Sequence, residues 1–429
     1  MAEVDFSTDD ETLSGAASPV AANGLRPPRP RRRKSSSRQG MRHIDIYISP
    51  KRPSLEASRL LTAFFGAPAG PPQAHAALSH HTLPVSRNYY RFSRLTDGIT
   101  NVVLKCTQTE TRPESPHPHI LLMRIYGDNT ERLIDREAEL TSHELLASQS
   151  LAMPLYGSFL NGYVYGYMPG DVCSSDQLAD ENVAIPTAQH LALFHRTMFK
   201  AATPSANVAA AALRGGPFDL SAGNSVWLAT VRQWLTLQPA ASVSDPRLQA
   251  EFAHLTDSLL VTLTNQVVEA CKPHDSDLVI CHNDLLAGNI LRQEDGSVRF
   301  IDYEYCGANP RAYDFANHFN EYCGLGPVDF GKYPSVDAQR RFVEVYADAL
   351  GGDMLQTPES REAFLASIEA HRMASHLLWS IWSLLQATSS QIEFDYVGYA
   401  HERITELQRL LAGRDADVHV KPAPLTTDV

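Results

Sequence analysis

The sequence predicts an α+β fold in which a small antiparallel-sheet lobe with one helix precedes a larger, mainly helical lobe. Three observations carry this. Short β-rich runs with turn signals cluster between residues 89 and 168. From residue 169 onward the apolar spacing turns helical, apart from one short β-rich insert. The chain has 429 residues, 43% of them hydrophobic and 20% charged, enough for a sizeable core. The expected organisation is a tail and linker over 1–84, a sheet lobe over 85–168, a helical lobe over 169–415 and a short tail over 416–429.

The tail comes first. Arg26–Arg38 is basic and rich in Pro and Ser, a composition that buries too little apolar surface to offset chain ordering. Residues 1–42 hold eight bases and five acids, net +3, which leaves −15 of the overall −12 to the remainder. A solvated tail is the plain expectation. The other readings are nuclear import, an anionic membrane surface, or phosphorylation at Ser35–Ser37. A short element is expected at Ile44–Ile48, and Gly66–Ala77 reads as a second linker. The acidic start, Met1–Asp10, argues against a secretory signal.

The sheet lobe follows. Arg94–Cys106 reads as strand, turn, strand, with Asp97-Gly98 as the hairpin signal. His119–Tyr126 is a strand apolar on both faces. Asp135–Ser148 has helical spacing through Leu140, Leu145 and Leu146. Leu155–Phe159 and Tyr163–Tyr167 flank the turn Asn161-Gly162. Beyond Met168-Pro-Gly-Asp171 the expected helices are 187–200, 226–236, 246–272, 336–350, 361–386 and 397–411. Between them the strands Leu278–Cys281 and Val298–Ile301 form the insert.

No apolar run reaches the roughly 18 residues of a spanning helix. The acidic balance argues against a nucleic-acid partner. The six cysteines include no CxxC pair, which fits free thiols in a reducing, cytoplasmic compartment. Neither His80-His81 nor His117/His119 has two further ligands at zinc-site spacing.

The insert carries the chemistry. His282-Asn-Asp-Leu-Leu-Ala-Gly-Asn289 leaves one strand in a turn-rich loop, and Asp302 leaves the next strand. Asp284, Asn289 and Asp302 are thus expected to converge from neighbouring strand ends. Hard oxygen donors of this kind suit Mg²⁺ on nucleotide phosphates. The remaining aspartate is then free to orient a hydroxyl and accept its proton. An Asp-x4-Asn alone is common and also fits a loop brace. The strand before it, the His-Asn prefix and the later strand-exit Asp make the combination specific.

Five further segments, Thr96–Asn101, Met123–Gly127, Asp135-Arg136, Asn317–Glu321 and Ile392–Ala400, join Cys281–Leu286 in a recognisable order. Through them the chain resembles the choline/ethanolamine kinases, within the protein-kinase-like fold, over about residues 89–411. Within that family it is most similar to ethanolamine kinase. Ala287-Gly288 departs from the bulkier residues of the family's ethanolamine kinases.

The resemblance implies a bilobal enzyme that uses ATP and Mg²⁺ to phosphorylate ethanolamine, the first step of the CDP-ethanolamine route to phosphatidylethanolamine. Choline kinase or a dual enzyme is the alternative, and a degenerate nucleotide-binding scaffold is the alternative of another class. It implies Asp284 as base, Asn289 and Asp302 as metal ligands, and Arg124 on the ATP phosphates. Glu139 is implied to brace Arg124, with Glu137 as the other choice. The hairpin Asp97, Gly98, Thr100 and Asn101 would cover the phosphates, and Met168 would border the nucleotide. Asp314 reads as a brace for the catalytic loop. The small-molecule acceptor, ethanolamine or choline, would sit among Asp284, Tyr305, Glu321, Trp379, Trp382, Tyr396 and Tyr399. Carboxylates and aromatic faces are what an ammonium group prefers. Trp379 and Trp382, three apart on a helix, equally fit plain core packing. Oligomeric state is not legible.

Overall fold

The computed structural model describes residues 3–5, 41–49, 53–65, 90–95, 101–109, 118–127, 130–203, 216–352, 355–390 and 394–419. The chain divides into two compact units, Met1–Gly127 with Met153–Tyr167, and Asp128–Ala152 with Met168–Val429.

The first unit is a seven-stranded sheet. Its strands are β1 (Glu3–Asp5), β2 (His43–Ile44), β3 (Tyr90–Leu95), β4 (Asn101–Gln108), β5 (Ile120–Tyr126), β6 (Leu155–Phe159) and β7 (Gly162–Gly166). The order is β1-β3-β4-β5-β7-β6-β2, antiparallel except where β2 joins β6. Alternating side chains bury Leu104 and Cys106 on β4, and Leu121, Met123 and Ile125 on β5. Helix α1 (Ser54–Phe65) covers that apolar surface with Ala57, Leu60, Leu61 and Phe64. Its approach is close enough that a Cβ on Gly157 would collide with the Phe64 ring.

This corrects the tail expected over 1–84. Strand β2 and helix α1 belong to the sheet unit, and the Leu60, Leu61, Phe64 spacing gives α1 a buried face. The basic run at 26–38, the linker at 66–77 and the Asp97-Gly98 turn lie outside the described residues. A second correction concerns the helix expected in the sheet lobe. Helix α2 (Arg136–Ser148) lies in the second unit, since Leu146 and Leu151 join that unit's core.

The second unit holds α3 (Glu181–Ala202), α4 (Val226–Leu235), α5 (Pro239–Ser242), α6 (Pro246–Glu251) and α7 (Asp257–Cys271). It continues with α8 (Arg311–Glu321), α9 (Val336–Leu350), α10 (Pro358–Ser389) and α11 (Tyr396–His419). The single helix expected over 246–272 breaks where Thr256 caps α7, its Oγ1 accepting the Leu259 N–H at 3.1 Å. Helix α8 was not expected, although Phe315 and Phe319 repeat at helical spacing.

Two small sheets thread these helices. β9 (Leu278–Cys281) pairs with β12 (Gly307–Pro310), and β10 (Ile290–Arg292) lies between β11 (Val298–Phe300) and β8 (Asp171–Val172). The chain leaves β9, loops into β10, turns back along β11 and returns through β12 to β9. Residues 282–289 and 301–306 are therefore neighbouring crossovers between the same two sheets.

Candidate active site

The loop after β9 is held from beneath by Asp314 on α8. Its Oδ1 accepts the Asn283 N–H at 2.7 Å, and its Oδ2 accepts the His282 N–H at 2.8 Å. Oδ2 also accepts from His195 Nε2 at 2.9 Å. The remaining ring nitrogen of His195 faces the Tyr346 hydroxyl at 2.8 Å, which in turn accepts from Arg311 at 2.7 Å. Arg311 is tied to Asp277 at 2.7 Å. Donors and acceptors run consistently along this chain if His195 is neutral. Burial pushes its pKa down, outweighing the pull of Asp314. Burial alone would raise the Asp314 carboxyl, but the His195 bond and the backbone N–H groups bring it below the usual range.

His195, Cys281 and Asp314 also bring potential ligand atoms within 4.8 Å of one another. The imidazole and carboxylate are committed to the brace, and burial pushes the Cys281 thiol well up, away from the thiolate a metal takes. The cluster is structural.

Asn283 and Asp302 both adopt left-handed backbone, φ 69° and 63°. Such residues are enriched in Asn and Asp and persist when neighbours fix them. Asn283 Oδ1 accepts from Asn309 at 2.6 Å and its Nδ2 donates to the Tyr305 carbonyl at 2.8 Å. His282 Nε2 donates to the Ile301 carbonyl at 3.0 Å, one residue before Asp302. The Ile301 N–H donates to the Asn289 carbonyl at 3.0 Å. These bonds lay the two crossovers side by side.

Asn289 Nδ2 donates to the Asp284 carbonyl at 2.7 Å and to its Oδ2 at 3.1 Å. The rotamer of the aspartate is thereby set, and the Asn289 oxygen is left to meet a cation. Burial, then the carboxylates of Asp302, Glu321 and Glu304, push the Asp284 carboxyl well above the ordinary aspartate range. So much negative charge at partly buried positions, with hard oxygen donors on Asn289 and Asp302, fits a divalent cation.

The aromatic groups gather beside this loop. Tyr305 lies edge-on to Trp379 at 5.2 Å and accepts from Trp382 Nε1 at 2.8 Å. Trp379 and Trp382 are 5.5 Å apart, and Tyr396 is 6.1 Å from Trp382. Trp379 Nε1 donates to Asn317 Oδ1 at 2.7 Å. Glu321 is salt-bridged at 2.6 Å by Arg403, whose guanidinium lies 4.9 Å over Tyr399. Asp284 and Glu321 both add to the field that raises the Tyr399 phenol, after burial and against Arg403.

The choline/ethanolamine kinase family model matches residues 92–408. The chain belongs to this family. It is 36% identical over 291 residues to an ethanolamine kinase of Drosophila melanogaster, covering 67% of this chain and 53% of the fly protein. It therefore spans about half the length of that relative. It is 32% identical to a probable ethanolamine kinase of Nematostella vectensis, covering 73% and 86%. Among solved structures, an ethanolamine kinase of Plasmodium vivax has a TM-score of 0.64 at 27% identity, covering 76% of this chain and 84% of that one. A choline kinase of Cryptosporidium parvum, at 20% identity, covers 78% and 93% with a TM-score of 0.61 and shares the fold.

Against the family expectations, the second unit brings together Asp284, Asn289, Asp302, Tyr305, Glu321, Trp379, Trp382 and Tyr399. Asp97, Gly98 and Thr100 lie outside the described residues. Asn101 opens β4, and Arg124 is buried on β5 with Nη1 donating to the Tyr163 hydroxyl at 3.5 Å. Met168 is half-buried at the start of the second unit's longer segment. Glu139 is buried and Glu137 exposed. Glu139 takes a hydrogen bond from Arg136 at 2.8 Å, and Arg136 also lies 3.7 Å from Glu304. The sequence reading placed Arg136 and Asn317 in matching segments without giving them a role, and it missed His195 and Arg403. Arg403 had a legible signal, since it stands four residues after Tyr399 on the same helix face.

Proposed function

We propose that this chain is an ATP- and Mg²⁺-dependent ethanolamine kinase that phosphorylates the hydroxyl of ethanolamine. One observation carries the reading: Asp284, held by a hydrogen bond from Asn289, is close enough to Asp302, to Glu321 and to Tyr399 of the aromatic cluster for their charges to act on one another. An acid that can orient a hydroxyl thus stands beside a group of side chains that suits an ammonium ion.

In this reading Asp284 accepts the hydrogen bond of the acceptor hydroxyl and takes its proton late in the transfer, so orientation matters more than basicity. Asn289 Oδ1 and the Asp302 carboxylate would hold Mg²⁺, which when bound supplies neutralisation of phosphate charge. Arg124 contributes positive charge for the ATP phosphates, and Asn101 and Met168 serve the nucleotide. The rings of Tyr305, Trp379, Trp382 and Tyr399 hold the ammonium, each contact worth ~0.5–2 kcal/mol.

A second reading, choline kinase or a dual enzyme, is favoured by the edge-on packing of Tyr305, Trp379 and Trp382, because aromatic surfaces also suit a trimethylammonium group. An amine panel with ATP at fixed Mg²⁺, read by phosphorus NMR of the products, separates the two. Phosphoethanolamine as the preferred product is expected. A clear preference for choline overturns the substrate assignment, and ATP binding without turnover of any amine identifies a scaffold instead.

A further inference from the structure

Helix α8 carries Tyr313, Asn317 and Glu321 at intervals of four, so the three share one face. That face meets the aromatic cluster, through Glu321 to Arg403 and through Asn317 to Trp379 and Ser375. The Tyr313 side chain is fully buried, and its hydroxyl has no hydrogen-bond partner. Asp314, Asp284 and Arg403 are the charged groups whose fields act on this phenol.

A buried hydroxyl left unpaired costs free energy that phenylalanine, of nearly the same shape, would avoid. No neighbouring group is hydrogen-bonded to this hydroxyl. Arg403 Nη2 is paired with Glu321, whereas Arg403 Nε and Nη1 and Asn317 Nδ2 have no hydrogen-bond partner, so the unpaired groups nearby are donors that leave the phenol oxygen unbonded. The phenol oxygen is left free to accept, and an N–H group of a ligand that reaches it would give it a bond.

Aromatic rings hold any ammonium ion and do not count its N–H groups. The Glu321 Oε1 atom is taken by Arg403. Discrimination between a primary and a quaternary head therefore needs an acceptor that only an N–H can satisfy. We propose that the Tyr313 hydroxyl accepts an N–H from the substrate's ammonium group and thereby selects primary over quaternary amino alcohols. This rests on the ethanolamine reading and deepens it. A trimethylammonium head leaves the hydroxyl unpaired and presses methyl groups against it, the situation in which a polar site rejects an analogue most strongly.

The test is Tyr313→Phe in the full chain, assayed with ethanolamine, its N-methyl and N,N-dimethyl derivatives, and choline. The expected result is a rise in KM for ethanolamine of about 10- to 100-fold. The KM for ATP and the thermal midpoint should not worsen, and kcat/KM for choline should hold or rise. A drop shared equally by ethanolamine and choline overturns the inference, because it marks a general structural or base-orienting role. So does an unchanged KM for ethanolamine. The methyl series on the wild-type chain gives a reading that needs no variant: kcat/KM should fall most sharply from the N,N-dimethyl derivative to choline, where the ammonium group loses its last N–H. A smooth decline with size overturns the selection by Tyr313. A wild-type chain that prefers choline overturns both this inference and the ethanolamine reading. A wild type that prefers ethanolamine, beside an unaltered Tyr313→Phe, overturns the inference alone.

Discussion

Asp314 satisfies three buried donors with two oxygens, and none of them has another acceptor of comparable geometry in the loop. Replacing it with Asn puts an NH₂ group against an N–H on one side. Each stranded donor costs about 1–3 kcal/mol. Asp314→Asn should therefore lower the urea midpoint and slow turnover together, because the loop that carries Asp284 loses its support. An unchanged midpoint with reduced kcat would instead place Asp314 among the groups that touch reactants. Asp284→Ala has the opposite signature. It removes a half-buried carboxyl whose bonds are to Asn289, so stability should hold while kcat falls by roughly 10²- to 10⁴-fold. A variant with near-full turnover would remove Asp284 from the base role. The loop's own residues were legible in sequence because each has a short-range signature. The partners His195 and Tyr346 were not, since they reach Asp314 from helices far away along the chain.

Helix α1 shows what composition hides at the level of elements. It lies among Pro- and Gly-rich stretches that read as linker, yet Leu60 and Leu61 are fully buried against the sheet. Leu60→Ala should destabilise the chain by about 2–5 kcal/mol, the range for emptying a core site. Urea unfolding checks this, and a loss below about 0.5 kcal/mol, typical of surface changes, would return residues 54–65 to the tail. Helices with long apolar repeats were legible; 336–350 agrees with its expected bounds. Strand β12 was not. Gly307-Ala-Asn-Pro310 has little strand propensity and is extended because β9 pairs with it. Helix α8 was passed over because its sequence is mixed, with Arg311, Asp314, Asn317, His318 and Glu321 all buried. Those polar groups are the ones that brace the loop and meet the aromatic cluster, so function masked the periodicity that would have revealed the helix.

Across the whole molecule, histidine burial sets the response to acid. His190 and His318 are pushed down to about 4 from an ordinary 6.5, in both cases chiefly by burial. Burial also lowers His195, His282 and, most strongly, His376. Between the folded and unfolded pKa values the unfolded chain binds a proton that the folded chain does not. Stability from these groups is therefore complete above about pH 6.5 and is lost as pH falls toward 4, at up to about 1.4 kcal/mol per unit for each histidine. The raised Asp284 carboxyl acts in the other direction, since its folded form binds the extra proton. It is one group set against five histidines, and a bound cation would cancel its effect. The urea midpoint should accordingly be lower at pH 5.5 than at pH 7.5, and the fall should steepen when Mg²⁺ is present. A midpoint that is flat or rises across this interval would mean that the buried imidazoles gain acceptors when protonated, and the neutral His195 on which the Asp314 brace depends would have to be reassigned.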